Sequence, residues 1–253
     1  MQKKEIYSFL MEKAELYENP SFINDDPIQI PHMFSKHQDI EISGFLTALI
    51  SWGNRKSIIN SSKKMMDLLD NDPFNFVINH NQNDLKTLNH FVHRTFNGKD
   101  LVYFIKTLKF IYTKCDTLEE FIFKENSSIS IIQSCFYENF FNFPHDKRTE
   151  KHISNPQKGS ASKKMNMFFR WMVRSNIQGV DFGIWKKFKV SKLSCPLDVH
   201  SGNVARKLGV LKRKQNDAKA VIELDNVLRK INVKDPVKLD FALFGLAIHE
   251  KFK

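Results

Sequence analysis

The chain has 253 residues, 42% hydrophobic and 12% aromatic with 23 Phe, enough apolar matter for a sizeable core and too much for a disordered chain. Lys and Arg number 39 against 28 Asp and Glu, a net charge of +11 that favours polyanionic partners, nucleic acid before an anionic membrane. Only 9 Gly, 8 Pro and few β-branched runs favour helices over sheets. Cys115, Cys135 and Cys195 are far apart and form no C-x-x-C, so no disulfide framework, metal site or cofactor is expected. The start of the sequence has no apolar signal core and no apolar run is long enough to span a membrane. A cytoplasmic protein without a membrane partner is the expectation.

Residues 2–18 read as a short amphipathic helix through Tyr7, Phe9, Leu10 and Leu16, stopped by Asn19-Pro20. Residues 19–39 are loop-like, with Asp39 or Ser35 available to cap the next helix. That helix carries Ile42, Phe45, Leu46, Leu49 and Ile50 on one face and ends at Ser51-Trp52-Gly53-Asn54-Arg55. Trp52 can stack on a base there, and Asn54 or Arg55 can reach bases or phosphates. A glycine C-cap beside a core tryptophan is the alternative.

Lys56 to Leu69 reads as another helix. His93 to Gly98 then precedes one with Leu101, Phe104, Ile105, Leu108 and Tyr112, and Asp116 or Thr117 can cap a further one through Phe123. Residues 125–158 are polar or aromatic, with Phe140 to Pro144 packing a short helix end.

A small turn, Gly159-Ser160-Ala161-Ser162, then delivers Lys163 to the mouth of a helix whose face is Met165, Phe168, Phe169, Met172 and Val173. Asn176 to Lys192 is irregular and holds Asp181 and Trp185. Leu197 to Leu208 is a helix entered at Asp198, and Lys212-Arg213-Lys214 is a basic turn. Two last helices span Asp217 to Leu228 and Pro236 to Ala247. The chain reads as all-α, with roughly ten helices and short connections.

Gly159-x-Ala161-x-Lys163 with Asn166, followed by Leu197-Asp198-x-His200 and Val204, resembles the helix-hairpin-helix DNA glycosylase superfamily, the endonuclease III and 8-oxoguanine glycosylase group. That group shows a G-x-G-x-K hairpin, a helix and a V-D-x-H segment. Phe45-Leu46-x-x-Leu49-Ile50-Ser51 looks like its early helix, and Phe241 to Leu246 like its closing one. The closer resemblance is to an uncharacterised bacterial family related to the archaeal 8-oxoguanine glycosylases.

Three features depart from the pattern. The second hairpin glycine is Ala161, where Gly would permit the left-handed turn that lets backbone N–H groups reach phosphate. The span from Lys163 to Asp198 is long, as in the archaeal branch. The cysteine cluster of endonuclease III is absent, so no iron–sulfur cluster is implied.

The resemblance implies a two-lobed helical fold with a central cleft holding Lys163 and Asp198. One lobe would comprise residues 43–190, the other 1–42 plus 191–253. It implies a DNA glycosylase of base-excision repair, with or without abasic-site lyase activity, with 8-oxoguanine the favoured lesion. Lys163 would be the nucleophile and Asp198 the stabiliser of the cationic sugar.

Lys164 and Asp181 are the competing lysine and carboxylate; Lys163 and Asp198 fit the motif better. Gly159, Ser160, Ala161, Ser162, Lys164, His200 and Arg206 are candidate DNA contacts beside Trp52, Asn54 and Arg55, with Lys158 and Lys212 to Lys214 as further phosphate clamps. His200 is otherwise a capping or core histidine. Trp52, Trp171, Trp185 or Phe96 can supply an aromatic sandwich for a base. The expected partner is double-stranded DNA with a damaged base, met by a monomer. A non-catalytic DNA-binding protein on the same fold and an RNA-binding protein are the rivals.

Overall fold

The computed structural model describes residues 2–252, and among them lie twelve α-helices, several 3-10 turns and one two-stranded hairpin. The all-α reading holds. Among the described residues, no helix is long and apolar enough to cross a membrane.

The chain divides into two compact units. One consists of Met1–Phe22, Asn126–Ser134 and Ser154–Lys253, the other of Ile23–Glu125 and Cys135–Ile153. This differs from the expected division at 190/191, because the helix that begins at Lys163 groups with the two ends of the chain. That helix carries Arg170 and Arg174, whose carboxylate partners include Glu18, Asp235 and Asp240.

In the unit built on Ile23–Glu125, α2 (His37–Ile50) is buried from Asp39 to Ile50, so it is a central helix rather than a one-faced one. Two carboxylates inside it serve other helices. Asp39 accepts the Phe74 N–H at 2.8 Å, at the start of α4 (Pro73–Asn79). Glu41 accepts the Leu118 N–H at 2.9 Å, at the start of α7 (Leu118–Ile122), and the Tyr112 hydroxyl at 2.8 Å. Asp39 therefore does not cap its own helix, whose N-cap is Lys36 without a side-chain bond. An orphan N–H beside proline, which has none of its own, is the stronger claim on a buried carboxylate.

The core of this unit is aromatic. Phe45, Phe104 of α6 (Gly98–Tyr112), Phe136 and Phe140 have neighbouring ring centroids 4.9–6.1 Å apart. The last two belong to α8 (Ile129–Phe140), a regular helix inside the stretch read from the sequence as polar or aromatic with a short helix end near Phe140. Its polar residues Gln133 and Ser134 are buried by specific bonds, to Asn166 and Asn155, which periodicity does not reveal.

In the other unit, α12 (Leu239–Ile248) packs against α1 (Lys3–Tyr17) and α10 (Val199–Lys207). The first contact depends on Gly245, where a Cβ would lie 2.2 Å from the Tyr17 ring. α9 (Lys163–Val173) is buried from Met165 onward, and residues 176–192 wrap its back, Trp185 bonding to Met172 O at 2.9 Å. Arg174 donates to Glu18 at 2.6 Å, to Asp181 at 2.6 Å and to both oxygens of Asp235 at 3.0 and 3.1 Å. Breaking such a buried set by removing one partner typically costs about 3–5 kcal/mol.

Candidate active site

The turn before α9 is built by two left-handed residues. Gly159 (φ +90°) ends the 3-10 turn Pro156–Lys158, and Ser162 (φ +48°) immediately precedes the helix. Ala161, the substitution expected to weaken the hairpin, is not at a left-handed position. The strained position falls instead on Ser162, one residue before Lys163, and a left-handed non-glycine of this kind costs roughly 1–2 kcal/mol.

Neighbouring bonds hold the turn against that cost. Ser160 Oγ accepts the Ser162 N–H at 3.1 Å. Asn166 donates to Ala161 O at 3.1 Å and to Cys195 O at 3.4 Å, while Gln133 donates to its Oδ1 at 2.7 Å. Asn166 thereby joins the turn to the segment that leads into Asp198. Below them, Gly159 O accepts the Ala218 N–H at 3.0 Å and Ser160 bridges to Asp217.

Lys163 and Lys164 are the first two residues of α9 and both are half-buried. Burial and the adjacent Lys163 charge pull the Lys164 amine down to about 7, so much of it is neutral at physiological pH. Asp198 is the N-cap of α10. Its Oδ1 accepts the Ser201 N–H at 2.8 Å and the Ser201 hydroxyl at 3.1 Å, and its own N–H donates to Ser201 Oγ at 3.0 Å. The cap employs Oδ1, which leaves Oδ2 as the oxygen for a cation.

A buried carboxyl, Asp240, stands in the first turn of α12. It accepts from Arg170 Nη1 at 2.7 Å, and the Cys195 thiol lies 3.7 Å away. Burial pushes its carboxyl up to about 6 against the pull of Arg170; the Asp198 charge raises it further and the Lys163 charge opposes that rise. Lys163 and Asp198 are therefore both within electrostatic reach of one buried carboxyl. Asp225 of α11 (Ala218–Ile231) is a second buried carboxyl close by. It accepts the Cys195 N–H at 2.9 Å, and burial raises it to about 6 as well. Asp240 was not singled out from the sequence, although it is the one carboxylate in the apolar run from Leu239 to Ile248.

The competing carboxylate Asp181 is 1% exposed and held by Arg174 at 2.6 Å and Arg170 at 3.4 Å. Its role is to neutralise two buried arginines. His200, expected as a cap or core residue if not a DNA contact, is exposed in the first turn of α10 and does neither. Arg206 donates to Arg213 O at 2.8 Å and to Asn216 Oδ1 at 2.5 Å.

Trp52, Asn54 and Arg55 belong to the other unit. Asn54 caps α3 (Arg55–Leu68) by accepting the Ser57 N–H at 3.1 Å. Trp52 is half-buried, edge-on to His93 at 5.4 Å and stacked on His152 at 6.1 Å. Trp171, Trp185 and Phe96 are at most 1% exposed and are core residues. Of the four aromatics considered for a base sandwich, only Trp52 keeps partial access to solvent.

The family described as a protein of unknown function (DUF2400) matches residues 26–249. The chain belongs to that family. The matched span includes α9, Asp198 and Asp240, so the whole cluster lies within the family region. No curated protein and no solved structure matches the chain.

Proposed function

We propose that this chain is a DNA glycosylase with abasic-site lyase activity, acting as a cytoplasmic monomer on duplex DNA that carries an oxidised base, 8-oxoguanine first. The observation that carries the reading is that Asn166 ties the turn before Lys163, at the start of α9, to the segment that leads into Asp198, at the start of α10, while the charges of both residues act on the buried Asp240. The sequence pattern that resembles the helix-hairpin-helix glycosylases runs through the same two residues.

In this reading the damaged nucleotide is extruded from the stack before its base is released. The Lys163 amine attacks C1′ of the sugar as the bond to the base breaks, and the departing base takes its proton from water. Asp198 stabilises the positive charge that develops on the sugar ring and accepts the proton lost by the amine. The resulting aminal opens to a Schiff base as the ring oxygen leaves C1′ and takes up the proton that Asp198 received. Lys164 is the rival nucleophile, since its amine is the one pulled down to about 7. The exposed Lys158, Lys212 and Lys214 would meet phosphates.

Incubation with duplexes carrying 8-oxoguanine, uracil, thymine glycol or an abasic site, with borohydride present, tests the proposal. A covalent adduct is expected that is lost in Lys163→Gln and kept in Lys164→Gln. The reverse pattern would move the chemistry to Lys164. Tight duplex binding with no adduct and no base release on any substrate would leave a DNA-binding protein without catalysis. Preference for RNA of equal length would favour the RNA-binding reading.

A further inference from the structure

We propose that Asn216 is a positioning residue for Asp198, through which the strap of residues 212–218 sets the carboxylate relative to Lys163. The inference rests on the glycosylase reading for its function and on separate geometry for its placement.

Asp198 is held at two points. Its carboxylate is held by the capping box with Ser201, and its backbone carbonyl accepts two donors, the Gly202 N–H at 3.0 Å and Asn216 Nδ2 at 2.8 Å. The Asn216 amide can face only one way. Its Oδ1 receives Arg206 Nη2 at 2.5 Å, so the NH2 end must point at Asp198 O. Arg206 is fixed in turn by donating Nε to Arg213 O at 2.8 Å.

Gly202 shows how closely this clamp is packed. A Cβ there would lie 2.8 Å from Asn216 Oδ1 and 2.9 Å from Arg206 Nη1. The backbone of this residue is helical, so glycine is present for space and not for an unusual dihedral angle.

The same strap holds the other catalytic element. Glu223 accepts the Lys212 N–H at 2.6 Å and the Arg213 N–H at 3.3 Å, which fixes the basic turn. Asp217 pairs with Arg213, caps α11 by accepting the Ala220 N–H at 3.0 Å, and bridges to Ser160. Ala218 then donates to Gly159 O at 3.0 Å. Thus one seven-residue segment bonds to the Asp198 carbonyl through Asn216 and to the turn before Lys163 through Asp217 and Ala218. An ordinary exposed amide hydrogen bond would be worth about 1 kcal/mol of stability and nothing in rate. A positioning bond acts on rate, because small misplacement of a reacting group costs far more than its contact energy.

Single-turnover base release at saturating full-length protein, duplex affinity and thermal unfolding separate the two. Asn216→Ala is expected to slow base release about tenfold while duplex affinity stays within about twofold. Asn216→Asp keeps the acceptor for Arg206 but loses the donor to Asp198, and should slow release as much. Gly202→Ala should do the same by displacing Asn216, and the Gly202→Ala/Asn216→Ala pair should lose no more than either alone. The inference is overturned if Asn216→Ala releases base at the wild-type rate, or if its loss of rate is matched by an equal loss of duplex affinity. A wild type that releases no base from any duplex defeats the glycosylase reading instead. Asn216 is then judged by the Asp198 carboxyl titration followed by NMR, which positioning makes sensitive to Asn216→Ala and an idle surface amide does not.

Discussion

Two buried aspartates, one in each unit, have met opposite fates. Asp100, in α6, accepts Arg148 Nη1 at 2.9 Å on both oxygens, Thr149 Oγ1 at 2.7 Å, the Asn97 N–H at 2.9 Å and His152 Nε2 at 3.1 Å. Burial alone would raise its carboxyl, but the bonds from His152, Asn97 and Thr149 outweigh that and hold it well below the usual carboxylate range. Asp240 has Arg170 and the weak thiol donor of Cys195, with the negative Asp198 nearby, and its carboxyl is pushed up to about 6. A fully donated carboxylate is architecture. A buried carboxyl with few donors, in the fields of a lysine and another aspartate, costs stability, and such groups cluster at functional sites.

The largest effect that would break this comparison is on the architectural side. Asp100→Ala removes the acceptor for four side-chain bonds and strands the Arg148 and His152 donors, and should cost about 3–5 kcal/mol in denaturant unfolding. A loss below about 1 kcal/mol would mean that the cluster relaxes into water and that Asp100 is not the keystone of its unit.

The next effect is the sign of the pH dependence, which the two aspartates give in opposite directions. For Asp240 the folded carboxyl, at about 6, lies above its ordinary value of 3.8, so the native state binds the extra proton between those values. Ionising it costs stability as pH rises through that window, by up to about 3 kcal/mol. Unfolding of Asp240→Asn, measured against wild type from pH 4 to pH 7.5, should show the variant gaining on wild type as pH rises. For Asp100 the folded carboxyl lies below 3.8, so its contribution is complete above that value and is lost as pH falls through the folded one. Asp100→Asn should therefore close its deficit only in stronger acid. Parallel slopes for the two variants would erase the distinction between them.

Much of the fold could be read in advance where a local rule decides it. The face of α6, the entry to α10 at Asp198, the start of α11 near Asp217 and a cap of α7 at Asp116 or Thr117, which the structure gives to Thr117, all follow from spacing within a few residues. What escaped was decided by distant partners. α8 hides Gln133 and Ser134 because Asn166 and Asn155 meet them, and Asp39 leaves its own helix for the Phe74 N–H. The site shows the same split. Lys163 and Asp198 each stand in a short motif, whereas Asp240 looks like an ordinary solvated charge until Arg170 arrives from another helix. Lys164 is similar, since nothing local in two adjacent lysines says which amine is buried deeply enough to lose its proton near 7.

The smallest effect sharpens the comparison most, because Asp198 does on one side chain what Asp100 and Asp240 do apart. Its Oδ1 is spent on the capping box, as an architectural carboxylate's would be, while its charge reaches Asp240 as a catalytic one's would. Substitution can separate the two duties. Asp198→Asn keeps an acceptor for the Ser201 N–H, and asparagine caps about as well as aspartate, so unfolding should shift by no more than a few tenths of a kcal/mol. Asp198→Ala loses the cap and should cost about 1 kcal/mol. Both variants lack the charge, and on the proposed glycosylase reading base release should fall by about two to four orders of magnitude in each. Equal stability losses in the two variants would place the importance of Asp198 in its charge for folding as well. Full base release by Asp198→Asn would reduce it to a cap, and the chemistry would have to be sought around Asp240.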